Sequence, residues 1–167
     1  MNRKLWTQLI HKRSCPEWLC PVCQSRLGIV KNSLVHHETV ESKDSRFRLG
    51  DEFNYHDISY IFTAWAECKN PNCKQRVAIS GNGGVDLESN ADGEPEYVEY
   101  FMPLVCNPMP DIIEFPKSCP KNIKEKLRAA FSIFWVHRDA CAGRIRVSLE
   151  YLMDHFNIPR QDTNKKV

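Results

Sequence analysis

Cysteine is the residue with most chemistry to offer in this 167-residue chain, which holds eight of them. Two pairs stand at ligand spacing: Cys20-Pro21-Val22-Cys23 and Cys68-Lys69-Asn70-Pro71-Asn72-Cys73. A Cys-x2-Cys turn aims backbone N–H groups at its sulfurs and puts both thiolates on one side. Two such turns therefore complete a tetrahedron around zinc. With four thiolates no position is left for water, so the zinc expected here is structural rather than catalytic. The second pair is looser than the commonest turn, and Cys15, also followed by proline, is an alternative to Cys20. His36 and His37 carry suitable nitrogens but have no partner at ligand spacing. Cys106, Cys119 and Cys141 have no mates either; Cys141 reads as a small helix-core residue and Cys119 sits just ahead of a helix.

Other reactive patterns are weaker. Cys141 and His137 lie one helical turn apart, a spacing that allows contact but equally suits plain packing. No oxyanion-hole signature accompanies them. Gly81-Asn82-Gly83-Gly84 is followed by acidic residues and lacks the Lys-Ser/Thr of a phosphate-cradling loop. Asp86, Glu88, Asp92, Glu94 and Glu96 match a calcium loop in charge only and read as a solvated acidic loop. Tyr60 and Trp65, near Arg26 or Arg76, are of the types that stack on a base, but aromatic strand residues are more often core. No catalytic set emerges.

The elements that must position the cysteines follow from pattern. Residues 1–19 suggest a lead-in helix with Leu5, Trp6, Leu9 and Ile10 on one side. Strands are expected over Arg26–Val35, Ile58–Ala66, Gln75–Ser80 and Glu96–Cys106. The glycine run 81–84 should break the third of these, and residues 36–56 read as a hairpin arm or loop. Prolines between Pro95 and Pro116 suggest a linker, and no internal repeat stands out. After Pro120 the apolar period becomes helical: Ile123, Leu127, Ala130, Phe131 and Phe134, then Ala142, Ile145, Leu149, Leu152, Met153 and Phe156, with Pro159 as a stop.

The fold class expected is α+β, a zinc-ribbon-like antiparallel β module over 1–110 followed by a helical hairpin over 111–167. Two helices alone leave much of their apolar stripe uncovered, so the hairpin calls for a protein partner or self-association.

Composition excludes a disordered or collagen-like chain: 42% of residues are hydrophobic and 26% charged. The net charge of +2 hides a strong asymmetry. Residues 1–76 carry +4, residues 77–116 carry −8 with no Lys or Arg at all, and residues 117–167 carry +6. An anionic partner should therefore meet the ends. The basic stretch near Met1 is interrupted by His11, Lys12 and Arg13 before a signal-length apolar run forms, and no segment reaches the roughly 20 apolar residues of a membrane span. A cytoplasmic location is expected, where thiols stay reduced and clustered cysteines favour metal over disulfides.

From Phe115-Pro116 to Pro159 the chain resembles the start of the family catalogued as domain of unknown function 4145, a HEPN-like helical domain. The matching residues are Ala140 and Ala142, then Arg146-Val147-Ser148-Leu149-Glu150 and Tyr151-Leu152. The resemblance implies a partial HEPN-like bundle and a place in a prokaryotic antiphage or restriction system. The family's relatives include ribonucleases with an Arg followed four to six residues later by His, a spacing absent from this chain. The function expected is a non-enzymatic zinc-binding adaptor, with Lys121, Lys124, Arg128, Arg144, Arg146 and Glu150 at its interaction face. The alternatives are nucleic-acid binding through the ribbon and basic tail, or a HEPN-like ribonuclease.

Overall fold

The computed structural model describes residues 9–11 and 16–159, and the chain divides into two compact units between Glu114 and Phe115. The first unit is a curled antiparallel sheet of six strands carrying one helix. Its long strands are β4 (Ser59–Cys68), β5 (Arg76–Ser89) and β6 (Pro95–Asn107). Two short strands share the outer edge of β4: β2 (Leu27–Ile29) pairs with Ala66–Cys68, and β3 (Val35–Glu38) with Tyr60–Thr63. On the far side, β1 (Ile10–His11) pairs with β6 at Tyr100 and Phe101.

Alternation along β4 explains its placement. Phe62, Ala64, Ala66 and Cys68 are buried, while Ile61, Thr63 and Trp65 are exposed, the period of two that a half-buried strand requires. Val77 and Ile79 of β5 and Phe101 and Cys106 of β6 complete this core, with the Phe62 and Phe101 rings 5.1 Å apart.

Several expectations are corrected here. The glycine run does not end the third strand: β5 continues through Gly81, Gly83 and Gly84 to Ser89. A β-bulge between Ser80 and Gly81 shifts the register, and β6 comes so close that a side chain at Gly81 would strike Met102 O and lie 2.8 Å from Leu104 N. Glycine marks close approach here rather than a break. Ile10–His11 is strand, not helix: Ile10 is fully buried opposite Phe101. The rest of the expected lead-in helix up to residue 15, Cys15 included, lies outside the described residues. Arg26–Val35 is two strands separated by a turn in which Asn32 has φ 59°.

The segment 36–56 is not a loop but contains β3 and helix α1 (Val40–Leu49). That helix has no apolar stripe, and its Phe47 is 94% exposed. Local polar contacts support it instead. Thr39 caps Ser42 N–H at 3.1 Å, and Ser42 Oγ and Arg46 Nη2 both donate to Glu38 Oε1 at 2.8 Å. The Arg46 hydrogen bond holds the Glu38 carboxyl below its ordinary pKa. Nor are the prolines after residue 95 a linker. Pro95 and Pro103 belong to β6, and the chain beyond it returns so that Asp111 N–H bonds Leu19 O at 3.0 Å, burying Pro110, Asp111 and Ile112.

The second unit holds α2 (Lys121–Phe131) and α3 (Arg138–His155). Ile123, Ala130 and Phe131 of α2 are buried, and Phe131 stacks on Phe115 with ring centroids 6.1 Å apart. On α3 the buried residues are Cys141 and Ser148, with Ile145 and Leu152 half-buried. The expected apolar stripe is rotated outward: Ala142 is exposed, Leu149 is 54% exposed and Phe156 62%. Among the described residues no helix is long and apolar enough to cross a membrane.

Candidate metal centre

The two cysteine turns sit where β2, β4 and β5 meet. Cys20 and Cys23 precede β2, Cys68 ends β4, and Cys73 precedes β5. Because Leu27 pairs with Cys68 in the β2–β4 register, both turns fall at the same end of the sheet. Cysteines 45 positions apart in sequence are thus brought together by strand pairing.

The four sulfurs form one cluster, each within 4.8 Å of the others. Cys20 Sγ lies 3.8 Å from Cys73 Sγ, and Cys23 Sγ lies 3.4 Å from Cys68 Sγ. A tetrahedron with metal–sulfur bonds of about 2.3 Å has edges of about 3.8 Å. A disulfide needs about 2.05 Å, so this spacing suits an ion and not a bond. All seven described cysteines are free. The cluster can hold a metal ion and is compatible with zinc.

Protonation in the metal-free protein is uneven. Burial pushes the Cys20 thiol up, and burial pushes Cys68 up to about 12. Cys23 is lowered to about 6, chiefly by the Ser25 side-chain hydrogen bond and then by the Ser25 backbone. A bound divalent ion deprotonates its coordinating thiols outright.

The turns are alike in ways the sequence reading missed. Glu17, Pro21, Cys23 and Arg26 recur fifty positions later as Glu67, Pro71, Cys73 and Arg76, and Leu27 is answered by Val77. In the structure Arg26 pairs with Glu17 at 3.4 Å and Arg76 with Glu67 at 2.9 Å. Gln24 and Lys74, each following the second cysteine of its turn, both have positive φ (60° and 49°). Backbone hydrogen bonds close both turns, Gln24 N–H to Cys20 O at 2.9 Å and Lys74 N–H to Asn70 O at 3.2 Å. The matched Pro-x-Cys-x-x-Arg segments were the available signal. The strands between them hide the repeat from periodicity arguments.

The remaining expected residues are dispersed. His36 is half-buried, 3.5 Å from Glu99 and edge-on to Tyr60, and His37 is exposed; neither belongs to the thiol cluster. The acidic residues 86–96 belong to the β5–β6 hairpin and its turn. Among the described residues the four cysteines are the one His/Cys/Asp/Glu group placed to hold an ion. On the helices, Lys121 reaches Glu125 at 3.9 Å, Lys124 is half-buried, and Arg128 lies 5.6 Å from the Phe115 ring centre. Arg144 donates to Ala129 O at 3.3 Å, while Arg146 and Glu150 are exposed. Cys141 is buried and its thiol is pushed up by that burial, the reverse of an activated nucleophile, while His137 is exposed.

A family described as a domain of unknown function (DUF8608) matches residues 8–107. The chain belongs to the DUF8608 family. The match spans both cysteine turns and all six strands, so the thiol cluster lies inside the DUF8608 domain. No curated protein and no solved structure matches the chain. The resemblance to domain of unknown function 4145 is thereby corrected: the matching family is a different one, and no HEPN-like domain is found. It rested on Arg146-x3-Glu150 and small residues on a helix, a pattern any solvent-facing helix can carry. The expectations of antiphage or restriction work and of ribonuclease activity were drawn from that resemblance and lose its support.

Proposed function

We propose that this DUF8608 protein is a non-enzymatic interaction protein whose sheet unit is held by a structural zinc ion in a zinc-ribbon-like pair of turns. Cys20, Cys23, Cys68 and Cys73 are its ligands. The observation that carries this reading is their spacing, 3.4–3.8 Å between the paired sulfurs, which fits the edges of a zinc–thiolate tetrahedron. Four thiolates fill that coordination shell and leave no position for substrate or activated water. Free thiols in this number suit a reducing compartment, and a cytoplasmic location is part of the proposal.

The docking face belongs to α3. The helix buries Ser148, its hydroxyl turned back to Arg144 O at 2.9 Å, and leaves an apolar stripe through Leu149 and its C-cap Phe156 exposed. We assign that stripe to a protein partner or a second copy of the chain. Lys126 lies 3.6 Å from the Tyr151 ring centre and Arg144 is engaged with Ala129, so these cations already have partners within the helical unit. This favours a protein partner over nucleic acid.

Sedimentation of the wild type and of a Leu149→Ser/Phe156→Ser variant tests the docking face. Concentration-dependent association that the variant loses, with its melting temperature unchanged, is expected. A wild type that stays monomeric at high concentration, with a variant that melts much lower, would place the stripe in the protein's own core and refute the reading.

A further inference from the structure

We propose that Asn70 is a positioning residue of the metal centre, acting from the turn position that Cys20 fills in the first turn. The inference rests on the metal reading above and concerns how that centre is built. Superposing the two turns by sequence puts Asn70-Pro71-Asn72-Cys73-Lys74 on Cys20-Pro21-Val22-Cys23-Gln24. The hydrogen bonds agree. Val22 N–H points at Cys20 Sγ at 3.4 Å, and Asn72 N–H points at Asn70 Oδ1 at 3.0 Å. The carbonyls of Cys20 and Asn70 each accept from the left-handed residue four positions on.

The second turn departs from the first in one respect. Its leading ligand stands two residues earlier, at Cys68, whose N–H bonds Gln75 O at 2.9 Å as Cys20 N–H bonds Ser25 O at 2.8 Å. Two extra residues, and with them Asn70, are thus placed between the ligands. Asn70 keeps the turn-capping duty of the cysteine through its oxygen. Its amide nitrogen turns to the opposite turn and donates to Cys23 Sγ at 3.7 Å.

That contact crosses between turns 47 positions apart in sequence. A neutral N–H donor aimed at a thiolate favours its charged form and orients the lone pair left for the metal. Serine could cap the turn from this position but could not reach across. Aspartate could cap it but would present a carboxylate oxygen to the sulfur. The two duties of Asn70 are therefore separable by substitution.

The test uses the full chain, zinc with a chromophoric chelator as competitor, and cobalt as a spectroscopic substitute. Asn70→Ser and Asn70→Asp are each expected to lower zinc affinity about 10- to 100-fold, the usual effect of removing a group that supports a ligand. Both should also shift the cobalt–thiolate charge-transfer band and release cobalt faster. Wild-type affinity and spectrum in Asn70→Ser would overturn the proposal. So would a loss confined to Asn70→Asp, which would mark a charge effect alone. If either variant fails to fold, the zinc-loaded wild type still decides. The Asn70 side-chain amide protons should exchange with solvent far more slowly than those of exposed Asn72, and equal rates would refute the contact. A wild type that binds no zinc would sink the metal reading itself, an outcome distinct from any of these.

Discussion

Removing the metal should melt the sheet unit. An ion bound by the four sulfurs would cross-link the two turns, and the shorter of the two sulfur contacts, Cys23 to Cys68, closes a loop of 45 residues. Treated as a cross-link of the unfolded chain, a loop of that length contributes about 4 kcal/mol at 25 °C. This is a lower bound, since structural zinc sites carry about 10–16 kcal/mol of apparent binding energy and most domains are stable by only about 5–15 kcal/mol. About 4 kcal/mol on a unit of roughly a hundred residues corresponds to a fall in melting temperature of about 15–30 °C. Cys68→Ser should have a comparable effect, because Cys68 is 4% exposed and pairs with Leu27, so losing its thiolate frees the ends of β2 and β4 together. The assay is elemental analysis of the purified chain with calorimetric melts before chelation, after it, and after zinc is restored. One zinc per chain and a reversible collapse of one transition are expected, with the helical unit as the second transition. Material without metal, or a melt indifferent to chelator and to Cys68→Ser, would refute the reasoning.

Four further outcomes are expected. Gly81→Ala should cost about 1–3 kcal/mol, because the new Cβ meets the backbone of Met102, Pro103 and Leu104, which cannot yield as a side chain could. Gly143→Ala on α3, where a Cβ meets nothing within 4 Å, should instead stabilise by up to about 1 kcal/mol; paired denaturant melts check both. Zinc affinity should fall as pH falls. The raised Cys20 and Cys68 thiols are protonated at neutral pH and must each release a proton, which gives a change of about 100-fold or more per pH unit in chelator competition. Native-state alkylation should leave Cys141 unmodified until the chain unfolds, because burial both shields the thiol and raises its pKa; rapid labelling at neutral pH would contradict its placement.

Local chemistry carried the candidate site. A Cys-x2-Cys turn and a Cys-x4-Cys turn announce a tetrahedral thiolate site because turn geometry and metal preference are short-range matters, settled within a few residues. The aromatic and β-branched run of β4 and the apolar spacing of α2 were legible for the same reason. What the tertiary structure decided was every question of facing and proximity. Gly81, Gly83 and Gly84 look like a break until β6 lies against them, for the close approach that needs glycine is supplied by another strand. Helix α1 has no periodic apolar signal since Thr39, Glu38 and Arg46 hold it rather than burial. On α3 the stripe of Leu149 and Phe156 was visible, but which side of the helix would be buried depended on where Cys141 and Ser148 found neighbours. Asn70 was hidden most deeply. Its role depends on a sulfur 47 residues away, and only the pairing of β2 with β4 brings that sulfur within its reach.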